Sequence, residues 1–208
     1  MVSQRTNPTR DQVSPEDWLS LAEDEIAEDG FSGVRILSMA KKLSVSRSSF
    51  YWHFRDRQEL VHTFVRRWRQ RQLDELQGYQ PHGGSVEAEI RRVLTLMISD
   101  TDITAREISI GLAVRGLARH DPFVASIVEE VDAARFAYNE QALNLIGTAK
   151  RGVDDMAMLL YAATTGARVL TLYPGRNRDR ARWLERLVGD LMIQWYRRGG
   201  GEILSDSR

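Results

Sequence analysis

Residues 36–54, ILSMAKKLSVSRSSFYWHF, constrain the fold of this chain more than any other stretch. Ile36, Met39, Ala40 and Leu43 recur at i, i+3, i+4 and i+7, which gives a short helix one buried face. Ala40 is small enough for a second helix to cross closely. Ser44-Val45-Ser46 then interrupts the period, and Ser46 is a good N-cap for a new helix. Phe50 and Phe54 lie one turn apart and point inward. Arg47, Ser48, Ser49, Tyr51 and His53 are left as the polar donors of a helix short enough to enter a DNA major groove. The pattern is a helix-turn-helix closed by an aromatic anchor.

The net charge of zero hides an asymmetry that supports this reading. Residues 11–30 carry eight acids and no Lys or Arg. Residues 31–72 carry ten bases (Arg35, Lys41, Lys42, Arg47, Arg55, Arg57, Arg66, Arg67, Arg69 and Arg71) against Asp56 and Glu59. A local block of that sign is what phosphate attraction requires. Arg66–Arg71 alone would read as a solvated helix face. Together with the turn motif, the block favours DNA.

At 208 residues the chain is one large domain or two small ones, with ample length for a core. It contains no cysteine. That excludes a disulfide framework, a Cys-ligated zinc site and a cysteine nucleophile. The N-terminal residues lack the apolar stretch of a signal peptide, and no run reaches the length of a membrane span, so a cytoplasmic location is expected.

The periodicity is helical nearly throughout. Residues 1–13 read as a disordered arm with Arg5 and Arg10. Ser14-Pro15 opens a first helix, with Trp18, Leu21, Ala22 and Ile26 as its stripe and Gly30 as its stop. Asp56 and Glu59 resemble a capping box for a fourth helix carrying Leu60, Val61, Phe64, Val65 and Trp68. Residues 78–84, GYQPHGG, form the clearest break. The domains are therefore expected at 14–77 and 85–200. Helices follow over about 86–98, 105–119, 122–147, 153–173 and 178–197.

The segment from LSLAEDEIAEDGF through MAKKLSVSRSSFYWHFRDRQELV, about residues 17–65, resembles the TetR family of regulators. Its most specific part is Phe50-Tyr51-Trp52-His53-Phe54 followed by Arg55-Asp56-Arg57 and Leu60. GLARHDPFVASIVEEVD in the second half is loosely similar to that family's ligand-domain helices. The resemblance implies an all-α protein, with an N-terminal three-helix DNA-binding unit followed by a helical ligand-binding and dimerisation domain. It also implies that Arg47, Ser48, Ser49 and His53 face base edges and that Tyr51 and Arg57 meet phosphate. Arg35, Lys41 and Lys42 are expected near the DNA backbone. The sequence departs from the family at several places. Arg35 replaces a threonine that caps the second helix, Ser44 and Ser48 stand where glycine is usual, and Arg57 replaces a lysine. Ser44 is mildly strained if its position needs φ > 0.

No constellation for catalysis is present. The four histidines fall at no helical ligand spacing, and there is no HExxH, P-loop or GxGxxG. Asp154-Asp155 fits the first turn of a helix. No enzyme activity, cofactor or metal is therefore expected. A ligand-independent architectural DNA-binding protein would explain residues 31–72 equally well, but not the long helical remainder. In that remainder Arg115 and Arg168 sit in apolar helix, where either would suit an anionic effector or lie along the surface by its stem. Phe123, Tyr138 and Tyr161 are candidate pocket aromatics or plain core. The last two helices carry Leu159, Leu160, Ala163, Leu170, Trp183, Leu184, Leu187, Val188, Leu191 and Trp195, more apolar surface than one protomer covers. Leu159, Ala163, Leu170, Trp183, Leu187, Leu191 and Trp195 are thus expected at a homodimer interface. The expected partners are palindromic double-stranded DNA, a second copy of the chain and a small-molecule effector, with no membrane.

Overall fold

The computed structural model describes residues 13–76, 80–99, 104–147, 152–172 and 177–199. Arg5 and Arg10, the Gly78 and Tyr79 of the glycine-rich segment, Pro174-Gly175 and Gly200-Gly201 lie outside them. Every regular element among the described residues is helical. Two compact units emerge, residues 1–68 with 109–125 and residues 69–108 with 126–208. The division falls at Trp68–Arg69, within a helix, and not at residues 78–84. Glycine and proline mark where a chain bends, whereas packing decides which residues share a core.

In the first unit α1 (Pro15–Asp29) starts at Ser14. Ser14 N–H donates to Asp17 Oδ2 at 2.7 Å, and Asp17 N–H donates back to Ser14 Oγ at 3.3 Å. This reciprocal box satisfies two donors that the helix cannot. Gly30 closes the helix at φ 65°. A 3-10 turn (Gly30–Ser32) leads to Gly33, where a Cβ would lie 3.0 Å from the Glu25 carbonyl oxygen, so a side chain there would press on the α1 backbone. The buried face of α1 is Trp18, Leu19, Ala22 and Ile26. Leu19 takes the place expected for Leu21, which is half-buried.

Helix α2 (Ile36–Lys42) begins at Arg35, which supplies no side-chain cap, as the lost threonine implied. The turn then reaches Ser44 at φ 58°, a left-handed conformation in a residue with a Cβ. Helix α3 (Arg47–Tyr51) is five residues long. Phe50 is fully buried at its centre, edge-on to Trp18 at 5.2 Å and stacked on Phe54 at 5.5 Å. Burial of such a ring stabilises by about 1.5–3 kcal/mol. Helix α4 (Arg57–Asp74) buries Leu60, Val61, Phe64, Val65 and Trp68, as its periodicity predicts. Its cap is shifted by one residue. Asp56 Oδ1 accepts from Glu59 N–H at 2.8 Å, but Glu59 accepts from the Arg55 N–H at 2.6 Å rather than from that of Asp56.

Residues 109–125 complete this unit with Ile110, Val114 and Val124 in its core. They include the later part of α6 (Ala105–Ala118) and the start of α7 (Pro122–Leu145). Asp121 caps α7 by accepting from Phe123 and Val124 N–H at 3.0 and 3.3 Å. Its other oxygen meets His62 Nε2 at 2.8 Å. The His62 ring lies 4.2 Å from that of Phe123, which in turn sits under the Arg66 guanidinium.

The second unit is built on α5 (Val86–Leu94), the remainder of α7, α8 (Val153–Thr171) and α9 (Asn177–Arg197). Ser85 caps α5, which continues as a π turn (Thr95–Ser99). Thr104 and Glu107 cap the start of α6 reciprocally, as their spacing predicts. The aliphatic core gathers Ile90, Leu94, Leu143, Met156, Leu160, Val188 and Met192. Ala163 and Trp195, expected at a dimer interface, also belong to this core. Val188, Met192 and Trp195 form an inner stripe of α9 and Trp183, Leu187 and Leu191 an outer one. The sequence reading had merged the two. Leu170, Trp183, Leu187 and Leu191 are exposed, and Leu159 is partly buried against the core.

Candidate functional site

The turn and α3 place Arg47, Ser48, Ser49 and Tyr51 on one short helix, and His53 follows two residues after it. Arg47, Ser48 and Tyr51 are exposed, and Ser49 and His53 are half-buried. Ser46 has the extended backbone of an N-cap, but its side chain caps nothing. Its hydroxyl instead meets that of Ser48 at 2.7 Å. Arg47 Nη2 donates to the Tyr51 hydroxyl oxygen at 2.9 Å and the guanidinium leans over the ring. The two side chains are thus presented together, with the Tyr51 hydroxyl accepting from Arg47. Trp52, absent from the expected contacts, is 85% exposed immediately after α3. Its signal was its place in the aromatic run, two residues from both Phe50 and Phe54 and so on the opposite side from them.

The cations expected at phosphate divide into two groups. Lys41 is exposed and forms no ion pair with other described residues. Arg35 Nε donates to the Ser32 carbonyl at 3.1 Å and stays exposed. Lys42, by contrast, pairs with the buried Glu25 of α1, and that hydrogen bond holds its ammonium pKa up. Arg57 Nε donates to the Val34 carbonyl at 2.8 Å, and its Nη2 to that of Phe31. Lys42 and Arg57 therefore first fasten α1, the loop and α2 into place. Burial of Glu25, and partial burial of the Val34 carbonyl, is what calls for these donors.

The second unit contains a cavity of about 210 Å³. Tyr138, Tyr161 and Arg168 line it. Arg115 and Phe123 do not, for both belong to the first unit. The sequence reading missed Arg135 and Asn139, which share a face of α7 with Tyr138, and Glu75 just beyond α4. Arg135 Nη2 donates to Gln72 Oε1 at 2.6 Å and lies 4.0 Å from Glu75 Oε2. Burial pushes the Glu75 carboxyl pKa up, against the pull of Arg135 and Arg168. Burial likewise raises that of the Tyr138 hydroxyl. Leu76, Val93, Leu96 and Met97 supply an apolar wall.

Among the described residues no group of His, Asp and Glu is arranged to hold a metal ion, and no helix is long and apolar enough to cross a membrane.

Residues 19–63 match the family model described as bacterial regulatory proteins, tetR family. No curated protein matches the sequence. Several solved structures share the fold. A transcriptional regulator from Rhodococcus sp. Rha1 is 22% identical, with a TM-score of 0.67 over 88% of this chain and 97% of its own. Salmonella enterica GusR is 16% identical, with a TM-score of 0.63 over 88% and 95%. A protein described as a transcriptional regulator, from Saccharomonospora viridis and in complex with choline, is 18% identical, with a TM-score of 0.67 over 86% and 95%.

Proposed function

We propose that this chain, a tetR-family transcriptional regulator, is a cytoplasmic homodimeric repressor that leaves a palindromic operator when a small molecule occupies its second unit. The family match rests on the DNA-binding segment and the fold likeness extends over most of the chain. One observation carries the reading. The five residues of α3 bury Phe50 completely while Arg47, Ser48, Tyr51 and the adjoining Trp52 face outward. Arg47 and Ser48 can donate to base edges, and the Trp52 face suits a thymine methyl. Tyr51 and Lys41 are suited to phosphate.

Pairing of the outer stripes of α8 and α9 across a two-fold axis would bury Trp183, Leu187 and Leu191 and give the two-fold symmetry that a palindrome mirrors. The cavity favours this reading over a ligand-independent DNA-binding protein. That a protein of the same fold was solved with choline makes small-molecule binding in this fold concrete. Release would follow from the effector's differential affinity for two states of the protein.

A binding-site selection on the purified protein tests the reading. A palindromic consensus is expected, with affinity falling steeply as salt rises. Equal affinity for every sequence would refute it. Sedimentation equilibrium should show a dimer, and Leu187→Glu a monomer. A wild-type monomer at micromolar concentration would remove the symmetric part of the proposal.

A further inference from the structure

We infer that the cavity of the second unit takes a small uncharged ligand that presents an N–H and an acceptor side by side, as a lactam does, paired edge to edge with the side-chain amide of Asn139. The inference rests on reading this unit as a sensor and adds the chemical class of what it senses. Three observations carry it.

The first is an amide left half-used in a buried place. Asn139 is 5% exposed and lines the cavity. Its Nδ2 donates to the Ala157 carbonyl of α8 at 3.5 Å, the outer edge of a hydrogen bond. That carbonyl can only accept, so it fixes the nitrogen on its side and the oxygen on the other. Among the described residues nothing donates to Oδ1. The oxygen is not sealed within the packing either, so it opens on the cavity. A buried amide oxygen with no donor costs folding free energy, and a ligand N–H that meets it recovers that cost. Nδ2 carries two hydrogens, and Ala157 takes at most one of them. Asn139 therefore keeps a donor and an acceptor on one planar group, the pair with which asparagine reads an adenine edge.

The second is the polar wall around it. Tyr138 also lines the cavity and hydrogen-bonds to no other described residue. Burial holds its hydroxyl protonated, so it can donate to a ligand carbonyl. The charged groups of the wall already face one another. Arg135 donates to Gln72 Oε1 at 2.6 Å and stands 4.0 Å from Glu75 Oε2, and Arg168 also acts on Glu75. The specific contact is left to the uncharged groups.

The third is size and the apolar side. The cavity of about 210 Å³ equals the liquid volume of about seven waters, which limits the guest to one or two rings. Val93, Leu96 and Met97 give such a body an apolar seat. Leu96 and Met97 come from the π turn Thr95–Ser99, a widened turn of the type often found at functional sites. Leu96 stays exposed, so the wall is open on its side.

Calorimetric titration of the full chain, with no DNA present, tests this with three neutral probes of one shape: 2-quinolinone, coumarin and 1-methyl-2-quinolinone. Coumarin has an oxygen in place of the N–H, and the methyl group covers that position in the third probe. The unsubstituted lactam should bind at least roughly tenfold more tightly than either of the others. Asn139→Leu, which keeps the shape of the side chain, should bring 2-quinolinone down to the level of coumarin and leave coumarin unchanged. The same variant should melt no lower than wild type, because the amide makes a single marginal bond. Tyr138→Phe should weaken 2-quinolinone and coumarin alike, since both keep the carbonyl, and so preserve the preference. The inference is overturned if the three probes bind alike, if 2-quinolinone does not bind at millimolar concentration, or if its preference survives Asn139→Leu. Lower melting of Asn139→Leu would make Asn139 a structural tie between α7 and α8 and overturn it as well. Loss of the preference in Tyr138→Phe would move the specificity to Tyr138, with the same consequence. An operator-release assay run beside the titration keeps the two readings apart. Lactam binding without release would sink the regulatory reading and leave the site standing.

Discussion

The two units solve opposite problems with the same helical material. The first unit is closed around aromatic rings, with Phe50 clasped by Trp18 and Phe54, and its charges are fastened close to home. Lys42 holds Glu25, Arg57 holds two loop carbonyls and Asp121 holds His62. The second unit is aliphatic and is left incompletely filled, with ionic groups around its cavity. A surface that must present the same donors each time benefits from a rigid support. A unit that must respond to a guest benefits from internal space. Rings packed against Phe50 in one unit and a cavity in the other would answer those demands.

The largest test of this contrast removes each core in turn. Phe50→Ala should destabilise the first unit by about 3–5 kcal/mol and abolish operator binding, while the second unit keeps its protection. Leu143→Ala, at a fully buried position of the second unit, should cost about 2–5 kcal/mol there. Hydrogen exchange, resolved by segment, reads both. Simultaneous loss of protection in the two units under either substitution would break the comparison.

Arg47→Ala should weaken binding to the preferred operator by about 1–3 kcal/mol and relax the preference at one base position per half-site. The folded state should be untouched, because Arg47 contacts only the surface of Tyr51. Site selection on the variant is the check. Retention of full preference would move the reading role to Ser48, His53 or Trp52.

Asp121→Ala should lower stability by about 1 kcal/mol through loss of the α7 cap. The native carboxyl is lowered in pKa: burial pushes it up, but bonds from His62 and the Val124 and Phe123 N–H groups outweigh that. The stabilisation is therefore present above the unfolded carboxyl value of about 3.9 and fades as pH falls through the lower native value. Denaturant titrations between neutral pH and acid should show a shallower acid limb in the variant.

Smaller effects separate holding the fold from holding DNA. Lys41→Ala should reduce the salt slope of DNA binding by about one unit and leave thermal stability unchanged. Lys42→Ala should do the reverse, lowering thermal stability with the slope nearly unchanged. At the bottom of the scale, Ser44→Gly should stabilise the first unit by up to about 1 kcal/mol, by relieving a left-handed backbone, with thermal melts as readout.

These contrasts also explain how much was legible beforehand. In the first unit the signals are local. Ser14 and Asp17 are three residues apart, Phe50 and Phe54 four, and the positive φ of Ser44 follows from its place in the turn. What escaped there was the fate of long cations. Whether Lys42 meets phosphate or Glu25 depends on a helix seventeen residues earlier. In the second unit almost nothing about the site is local. Its walls come from residues near 75, 95, 137 and 164, and only the i, i+3, i+4 face of Arg135, Tyr138 and Asn139 left a trace. Arg115 and Arg168 look alike in sequence, each an arginine inside apolar helix. Only the path of the chain sends one to the cavity and the other to the opposite unit.

The tryptophans carry one more consequence. Trp18, Trp68 and Trp195 are buried, while Trp52 is 85% and Trp183 59% exposed. The protein thus has two emitters within reach of a neutral quencher such as acrylamide, one beside α3 and one on the outer stripe of α9. Added operator should shield the first and rising protein concentration the second. With Trp52→Phe and Trp183→Phe to assign the signals, intrinsic fluorescence becomes a label-free meter that reports DNA engagement and self-association through separate channels.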